Sequence, residues 1–273
     1  MRLNILKYLS LLKFSLRNPN VGAEIFQTLR EYEYDRKNKT HEYKAEPSNV
    51  INTLEKIFPD FDFTFEELQN KLLPLHNHLK DFFTQLDSVK YPSREKPYPI
   101  DYSLNEQAGV FLYALCKKMK PEKIFETGVA YGLSSSYILQ ALDENKKGEL
   151  YSIDSIFRPW ESKEMIGSAI PAHLKYRWKF IFGKSSNKLE NLLNSLEKID
   201  IFFHDSLHTV RNMMFEFNTT WPFLKENGIL VADDIVDNDA FYQFYSSKSS
   251  NPFFLTNNDE DIPILGILMK NYS

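Results

Sequence analysis

The sequence predicts an α/β protein in which a doubly wound, mostly parallel sheet of seven strands follows an N-terminal helical extension. The first observation is that, after about residue 100, short apolar runs alternate with amphipathic helical stretches, as they do in right-handed βαβ crossovers. The second is that five of the six glycines between residues 128 and 228 fall at predicted strand ends. We therefore divide the chain into a helical extension, residues 1–100, and an α/β domain, residues 101–273.

The helical extension has apolar residues at spacings of three and four within 24–34, 49–58 and 64–86. Thr64 and Glu67 have the spacing of a capping box, which predicts the start of a helix. We expect these helices to cover a pocket or to join subunits in a homo-oligomer. The apolar N-terminus is interrupted by lysines, which argues against a signal peptide or a membrane span and leaves a membrane-surface helix as the alternative.

The α/β domain begins with a predicted helix that runs to about residue 119. Its five parallel strands are predicted at 123–127, 149–154, 178–182, 199–204 and 229–233. Its crossover helices are predicted at 133–143, 186–197 and 209–225, with a helical insertion near 160–170. Two further apolar runs, 252–256 and 264–269, predict a hairpin that adds an antiparallel strand at the sheet edge.

Composition and charge restrict the possible partners. A net charge of −4 argues against a broad basic surface for nucleic acid. No stretch predicts a membrane-spanning helix, so we expect no integral membrane association. The single cysteine, Cys116, rules out an internal disulfide, and we expect a cytoplasmic protein.

The most informative segment is 123–135. An apolar run ends in Glu126 and is followed by Gly128 and Gly132, then by small hydroxyl residues that open a helix. Glycine tolerates a positive φ and leaves room beside the main chain, so the backbone must come close to something here. The spacing G-x-x-x-G differs from the G-x-G-x-x-G of nicotinamide-binding folds. The segment indicates a nucleotide-type cofactor site, and a tight turn without a ligand is the alternative.

Polar residues follow the carboxyl ends of all five parallel strands, where ligands bind in such sheets. Four of the five ends carry acids, and a carboxylate at the second can accept both hydroxyls of a ribose. The hydroxyl residues after the third strand have the alternative of serving as a helix N-cap. In strand order the residues are Glu126, Asp154, Ser185 with Ser186, Asp205, and Asp233 with Asp234.

The segment 123–234 resembles the class I S-adenosylmethionine-dependent methyltransferases. E-T-G-x-x-x-G-x-S-S is similar to their first cofactor motif, and Ile153-Asp154 is similar to the acidic end of their second strand. The stretch I-D-I-F-F-H-D-S-L-H-T, followed by L-K-E-N-G-I-L-V-A-D-D-I, resembles the small-molecule O-methyltransferase branch. That branch includes catechol-type enzymes and the sugar and macrolide O-methyltransferases. The resemblance covers about 150 residues, through the terminal hairpin, and leaves the first hundred unassigned.

This resemblance implies a Rossmann-like fold and methyl transfer from S-adenosylmethionine to a hydroxyl group of a small molecule, such as a sugar or a natural product. It also implies the parts of the cofactor site. The residues are Glu126, Gly128 and Gly132 at the methionine part, Ser134 in the same motif, Asp154 at the ribose, and Ser185 or Ser186 near the adenine.

The resemblance further implies a divalent cation. In metal-dependent members an acid after the fourth strand and a pair after the fifth bind the ion, and Asp205, Asp233 and Asp234 occupy those positions. Three oxygen donors suit Mg²⁺ better than Zn²⁺. Catechol-type enzymes carry a lysine base three residues after the first acid, where this chain has His208 as a base, a metal ligand or a substrate contact. His204 alternates with Asp205 along the strand, so we expect it to point into a helix-packed face.

Three alternatives stay open at this point. In the first, Asp233 and Asp234 after the fifth strand orient the substrate without a cation. In the second, the chain is a catalytically inactive methyltransferase-like subunit that serves as a binding or scaffold protein. A nicotinamide-dependent oxidoreductase is disfavoured, because the tighter glycine motif is missing and no Tyr-x-x-x-Lys pair follows the fourth strand.

Overall fold

A computed structural model describes residues 5–100, 104–248, 250–257 and 261–271 of the chain. Within these residues, the extension contains α1 (Ile5–Arg17), α2 (Pro19–Asn38), α3 (Val50–Ile57) and α4 (Phe65–Asp87). The predicted capping box is present at the start of α4. The backbone N–H of Glu67 donates to Thr64 Oγ1 at 3.2 Å, and Glu67 Oε2 accepts from the backbone N–H of Thr64 at 2.8 Å.

The first four strands of the α/β domain lie at the predicted residues. The elements in chain order are α5 (Glu106–Met119), β1 (Lys123–Thr127), α6 (Leu133–Asn145), β2 (Glu149–Asp154), β3 (Trp178–Phe182), α7 (Ser185–Leu196) and β4 (Ile199–His204). Between β2 and β3, the predicted helical insertion consists of two short 3₁₀ turns, Lys163–Met165 and Ala172–Arg177.

After β4, the predicted end of the helix and the predicted start of the next strand were wrong. The helix expected at 209–225 is α8 (Val210–Thr220), which is followed by a 3₁₀ turn because Pro222 has no N–H to continue the helical ladder. The freed residues lengthen β5 (Leu224–Asp233). The helix α9 (Ala240–Ser246) was not predicted, and the hairpin strands β6 (Pro252–Thr256) and β7 (Pro263–Met269) were.

The seven strands form one sheet with the order β3-β2-β1-β4-β5-β7-β6. The strands β1 to β5 pair in parallel, and β7 is antiparallel to both of its neighbours. The antiparallel strand β7 was expected at the edge of the sheet, but it lies between β5 and β6. The edge strand is β6, which comes first in the chain, and β7 then pairs with both β6 and β5. The mostly parallel sheet with helices on both faces confirms the predicted doubly wound, Rossmann-like architecture.

The core occupies both faces of this sheet. Successive residues of a strand point to opposite faces, so Phe203 of β4 belongs to the cluster on one side and Phe202 to the cluster on the other. The first cluster is covered by α5 and α6 and is extended by leucines of α3 and α4. The second is covered by α7, α8 and α9. No helix among the described residues has the length and apolar character needed to cross a membrane.

Candidate active site at the carboxyl edge of the sheet

Glu126 and Ser134 lie beneath the glycine loop and hold it in place. The carboxylate of Glu126 is fully buried and accepts hydrogen bonds from Ser134 Oγ at 2.7 Å and Ser135 Oγ at 2.6 Å, both at the start of α6. It also accepts from Ser152 Oγ of β2 at 2.7 Å. Burial raises the pKa of Glu126, and the three hydroxyl donors oppose that rise. These contacts join β1, β2 and α6, and the direct cofactor contact of Glu126 and Ser134 stays a prediction.

Gly128 and Gly132 adopt the positive φ expected of them, +83° and +90°. A Cβ on Gly128 would lie 1.8 Å from the carbonyl oxygen of Asp205, and a Cβ on Gly132 would lie 2.7 Å from the side chain of Ile170. The backbone does come close to a neighbour at both positions. At Gly128 that neighbour is the loop after β4, so this glycine lets the predicted cofactor loop and the predicted metal loop touch.

Asp154 connects the end of β2 to the glycine loop. Its Oδ2 accepts from the backbone N–H groups of Val129 and Ala130, each at 2.9 Å, and its Oδ1 accepts from Ser155 N–H at 2.6 Å. Burial raises the pKa of Asp154, and the three backbone donors oppose that rise. A carboxylate has about four acceptor positions, so one is left for a ligand hydroxyl.

The structure brings Asp205, Asp233, Asp234 and His208 together at the ends of β4 and β5. The ring nitrogens of His208 lie 3.9 Å from Asp205 Oδ1 and 3.6 Å from Asp234 Oδ2. Burial and the charge of Asp234 raise the pKa of Asp233 to about 8. Burial and the charges of Asp233 and Asp234 also raise the pKa of Asp205. The three acids are therefore close enough to disfavour one another's ionisation.

The surroundings of His208 favour its neutral imidazole. Burial, followed by the neighbouring His204, lowers the pKa of His208 to about 3. Its Nε2 is buried and has no hydrogen-bond partner among the described residues. The backbone N–H of His208 donates to Tyr32 Oη at 3.0 Å, and its carbonyl accepts from Asn238 Nδ2 at 3.0 Å. The ring is thus held at the site with a nitrogen available to a ligand.

The chemistry of this cluster fits a divalent cation. Three carboxylates that repel one another are the donors a hard cation such as Mg²⁺ prefers, and a bound cation would offset their repulsion. Among the described residues, no three His, Cys, Asp or Glu side chains are already arranged to hold an ion.

The two serines after β3 differ in their surroundings. The alternative that either serves as the N-cap of α7 is wrong, because Lys184 occupies that position without a capping side chain. The hydroxyl of Ser185 donates to Glu216, whereas Ser186 is exposed and its nearest polar contact is Asn187 Oδ1 at 3.4 Å. Their predicted place near the adenine stays a prediction.

Sequence reasoning missed Glu216 of α8, which belongs to the same edge. Its Oε2 accepts from Thr127 Oγ1 at 2.6 Å and contacts Nδ1 of the fully buried His204 at 2.7 Å, which confirms that His204 points into a helix-packed face. Burial would raise the pKa of Glu216, but the charge of His204 and the hydrogen bonds lower it. The available signal was an acid between two phenylalanines on the apolar face of a predicted helix.

The helix α2 of the extension lies against the loops that carry the site. Glu24 pairs with Lys184 after β3, and Glu31 pairs with Arg211 of α8 at 2.9 Å. Asp35 Oδ2 accepts from the backbone N–H of the first residue of α8 at 2.8 Å. These contacts join α2 to the loop after β3 and to the start of α8, and a role of the extension as a cover stays a prediction.

Comparison with known proteins finds a family that is similar to part of the α/β domain. Residues 125–235 match the sequence profile of a methyltransferase domain family. None of the curated proteins gives a significant match. The middle of the α/β domain is thus similar to a methyltransferase domain, and the sheet has the fold of such enzymes.

Solved structures share this fold at low sequence identity. An O-methyltransferase from Bacillus cereus in complex with S-adenosylhomocysteine superposes with a TM-score of 0.57 and 16% identity, over 75% of this chain and 96% of that one. A Podospora anserina methyltransferase with bound S-adenosylhomocysteine gives 0.51 and 19%, over 73% and 87%. The Streptomyces achromogenes O-methyltransferase TomG, in complex with S-adenosylmethionine and involved in tomaymycin synthesis, gives 0.51 and 14%, over 82% and 97%.

Proposed function

We propose that this protein transfers the methyl group of S-adenosylmethionine to a hydroxyl group of a small molecule, with the assistance of Mg²⁺. The observation that carries this proposal is the contact between two loops at one edge of a methyltransferase fold. The glycine loop of residues 128–132, fastened to Asp154, touches the loop that bears Asp205 and His208. Cofactor and acceptor would thus be held side by side, as methyl transfer requires.

On the cofactor side, Asp154 would accept a ribose hydroxyl with its remaining acceptor position, while its other contacts keep the glycine loop in shape. Gly128 and Gly132 would give the methionine part access to the main chain, and Ser185 or Ser186 would lie near the adenine. Bound S-adenosylmethionine would supply the methyl group. The three solved structures described above are complexes with S-adenosylhomocysteine or S-adenosylmethionine.

On the acceptor side, Asp205, Asp233 and Asp234 would hold Mg²⁺. The ion, when bound, would lower the pKa of the acceptor hydroxyl and fix the position of its oxygen. His208 would take the hydroxyl proton, because its buried Nε2 has no hydrogen-bond partner among the described residues and its ring lies beside Asp205 and Asp234.

The acceptor itself is proposed by analogy, as a hydroxyl of a sugar or a natural product. The helix α2 would cover it, since Tyr32 already contacts the backbone of His208. A homo-oligomer through the N-terminal helices and a cytoplasmic location are parts of the same proposal that rest on the sequence alone. The inactive scaffold is the competing proposal, and binding of the cofactor product separates the two.

The test is calorimetric titration with S-adenosylhomocysteine, with and without Mg²⁺, on the wild type, Asp154→Asn and Asp233→Asn. Asparagine keeps the size of each side chain, and Asp233→Asn is the matched control for the cofactor site. We expect micromolar binding that Asp154→Asn weakens and Asp233→Asn retains, and a heat of Mg²⁺ binding that Asp233→Asn alone abolishes. Absence of binding at millimolar S-adenosylhomocysteine would overturn the proposal and favour the scaffold. Confirmed binding would justify a screen of hydroxylated acceptors.

A further inference from the structure

Glu216 is a buried carboxylate on which the ends of several elements converge. Its Oε2 contacts Thr127 Oγ1 of β1 at 2.6 Å and His204 Nδ1 of β4 at 2.7 Å. Its Oε1 accepts from Ser206 Oγ at 2.9 Å and from Asn212 Nδ2 of α8 at 3.3 Å. The side chain has no solvent exposure, so these polar groups have no water to replace the carboxylate.

The loop 205–208 depends on this arrangement. Ser206 lies between Asp205 and His208 and is held by Glu216 and by Asn212 Nδ2 at 3.0 Å. The same amide donates to the carbonyl of Leu207 at 3.0 Å. Before and after the loop, His204 and Thr209 are buried in the protein. The middle of the loop, Ser206 and Leu207, is therefore bound to α8, and Glu216 is the charged group beneath it.

Glu126 makes an equivalent set of contacts under the other loop of the site. It accepts hydrogen bonds from Ser134, Ser135 and Ser152, which lie on α6 and β2 rather than on the loop after β4. Glu126 thus supports the glycine loop, and Glu216 supports the loop after β4 while also accepting a hydrogen bond from Ser185 after β3. This division provides a control of the same residue type and the same burial.

We infer that Glu216 is a positioning residue for the proposed metal and acceptor half of the site. It sets the place of Asp205 and His208 through the loop between them, without touching cofactor or acceptor. This inference rests on the proposed function, because it assigns Glu216 a role at the same site. A buried carboxylate that supports a ligand loop acts as an outer-shell partner, and loss of such partners weakens metal binding by about 10- to 100-fold.

The experiment compares Glu216→Gln with Glu126→Gln. Glutamine keeps the size of the side chain but replaces one accepting oxygen by an NH₂ group, which faces donors in both pockets. We expect Glu216→Gln to weaken Mg²⁺ binding about 10- to 100-fold and to change the Kd of S-adenosylhomocysteine by a smaller factor. Glu126→Gln should weaken the binding of S-adenosylhomocysteine more than the binding of Mg²⁺. Calorimetry gives both constants without knowledge of the acceptor, and thermal melting reports the fold.

A milder variant keeps the inference testable if Glu216→Gln does not fold. Ser206→Ala removes only the loop's own hydroxyl and should weaken Mg²⁺ binding in the same direction, with S-adenosylhomocysteine binding unchanged. The inference is overturned if both Ser206→Ala and Glu216→Gln bind Mg²⁺ as the wild type does. It is also overturned if Glu216→Gln and Glu126→Gln weaken both ligands equally, since that result describes general destabilisation. A wild type that binds neither ligand overturns the proposed function itself.

Discussion

Replacement of Gly128 by alanine tests the contact between the two loops most directly. The added Cβ would lie 1.8 Å from the carbonyl oxygen of Asp205, on a residue whose φ is +83°. The loops would have to separate by roughly 1.5 Å to restore ordinary contact. Both partners are backbone, so no side-chain rotation can relieve the overlap.

The expected loss of stability has two parts. A left-handed conformation costs a residue with a Cβ about 1–2 kcal/mol. Overpacking of a tightly packed site costs roughly 1–3 kcal/mol more. A total of about 2–5 kcal/mol lowers the Tm of a chain of this length by roughly 4–10 °C. Because the displaced loop carries the proposed cofactor site, the Kd of S-adenosylhomocysteine should rise about tenfold or more, which corresponds to about 1.4 kcal/mol.

Gly148→Ala is the matched control for this experiment. Gly148 has a φ of +90°, and a Cβ there would lie 2.3 Å from the carbonyl oxygen of Pro121, at the amino edge of the sheet. The control should lose a similar amount of stability and retain its affinity for S-adenosylhomocysteine. Thermal melting and calorimetry measure the two quantities. The reasoning is refuted if Gly128→Ala melts and binds as the wild type does, or if Gly148→Ala loses affinity equally.

Three further predictions concern other parts of the molecule. Thr64→Ala removes an N-cap and should cost about 1 kcal/mol in urea unfolding without affecting ligand binding; an unchanged midpoint would contradict it. Burial would raise the pKa of Asp239, but the hydrogen bonds from His41 and Thr40 outweigh burial and lower this pKa from its ordinary value. The ionised carboxylate therefore stabilises the folded protein at neutral pH, and this contribution is lost as the pH falls and Asp239 is protonated. From pH 5 to 3 the wild type should therefore lose more unfolding free energy than Asp239→Asn, and parallel pH profiles would refute this. Burial raises the pKa of the Cys116 thiol, which should react with a thiol reagent only at the rate of unfolding.

The strands and the glycine loop could be predicted from the sequence because their signals are local. A short apolar run bounded by turn residues determines β1 or β2 whatever packs against it, and the structure has both at the predicted residues. The proximity of the carboxylates at the strand ends could also be predicted, because parallel strands bring their carboxyl ends to one edge of the sheet. The capping box of α4 was equally local. Where a local signal competed with another, as at Pro222, the predicted boundary was wrong.

The tertiary structure alone decided which groups meet across the chain. Thr127 and Glu216 are 89 residues apart, and Tyr32 and His208 are 176 residues apart. No periodicity reports such contacts, because their formation depends on how helices pack on the sheet rather than on neighbours in sequence. The same limit applies to Gly128, whose need for a positive φ was predictable although its close neighbour, the backbone of Asp205, was not. Local sequence thus determined the strands and their acidic ends, and long-range packing determined what supports and covers them.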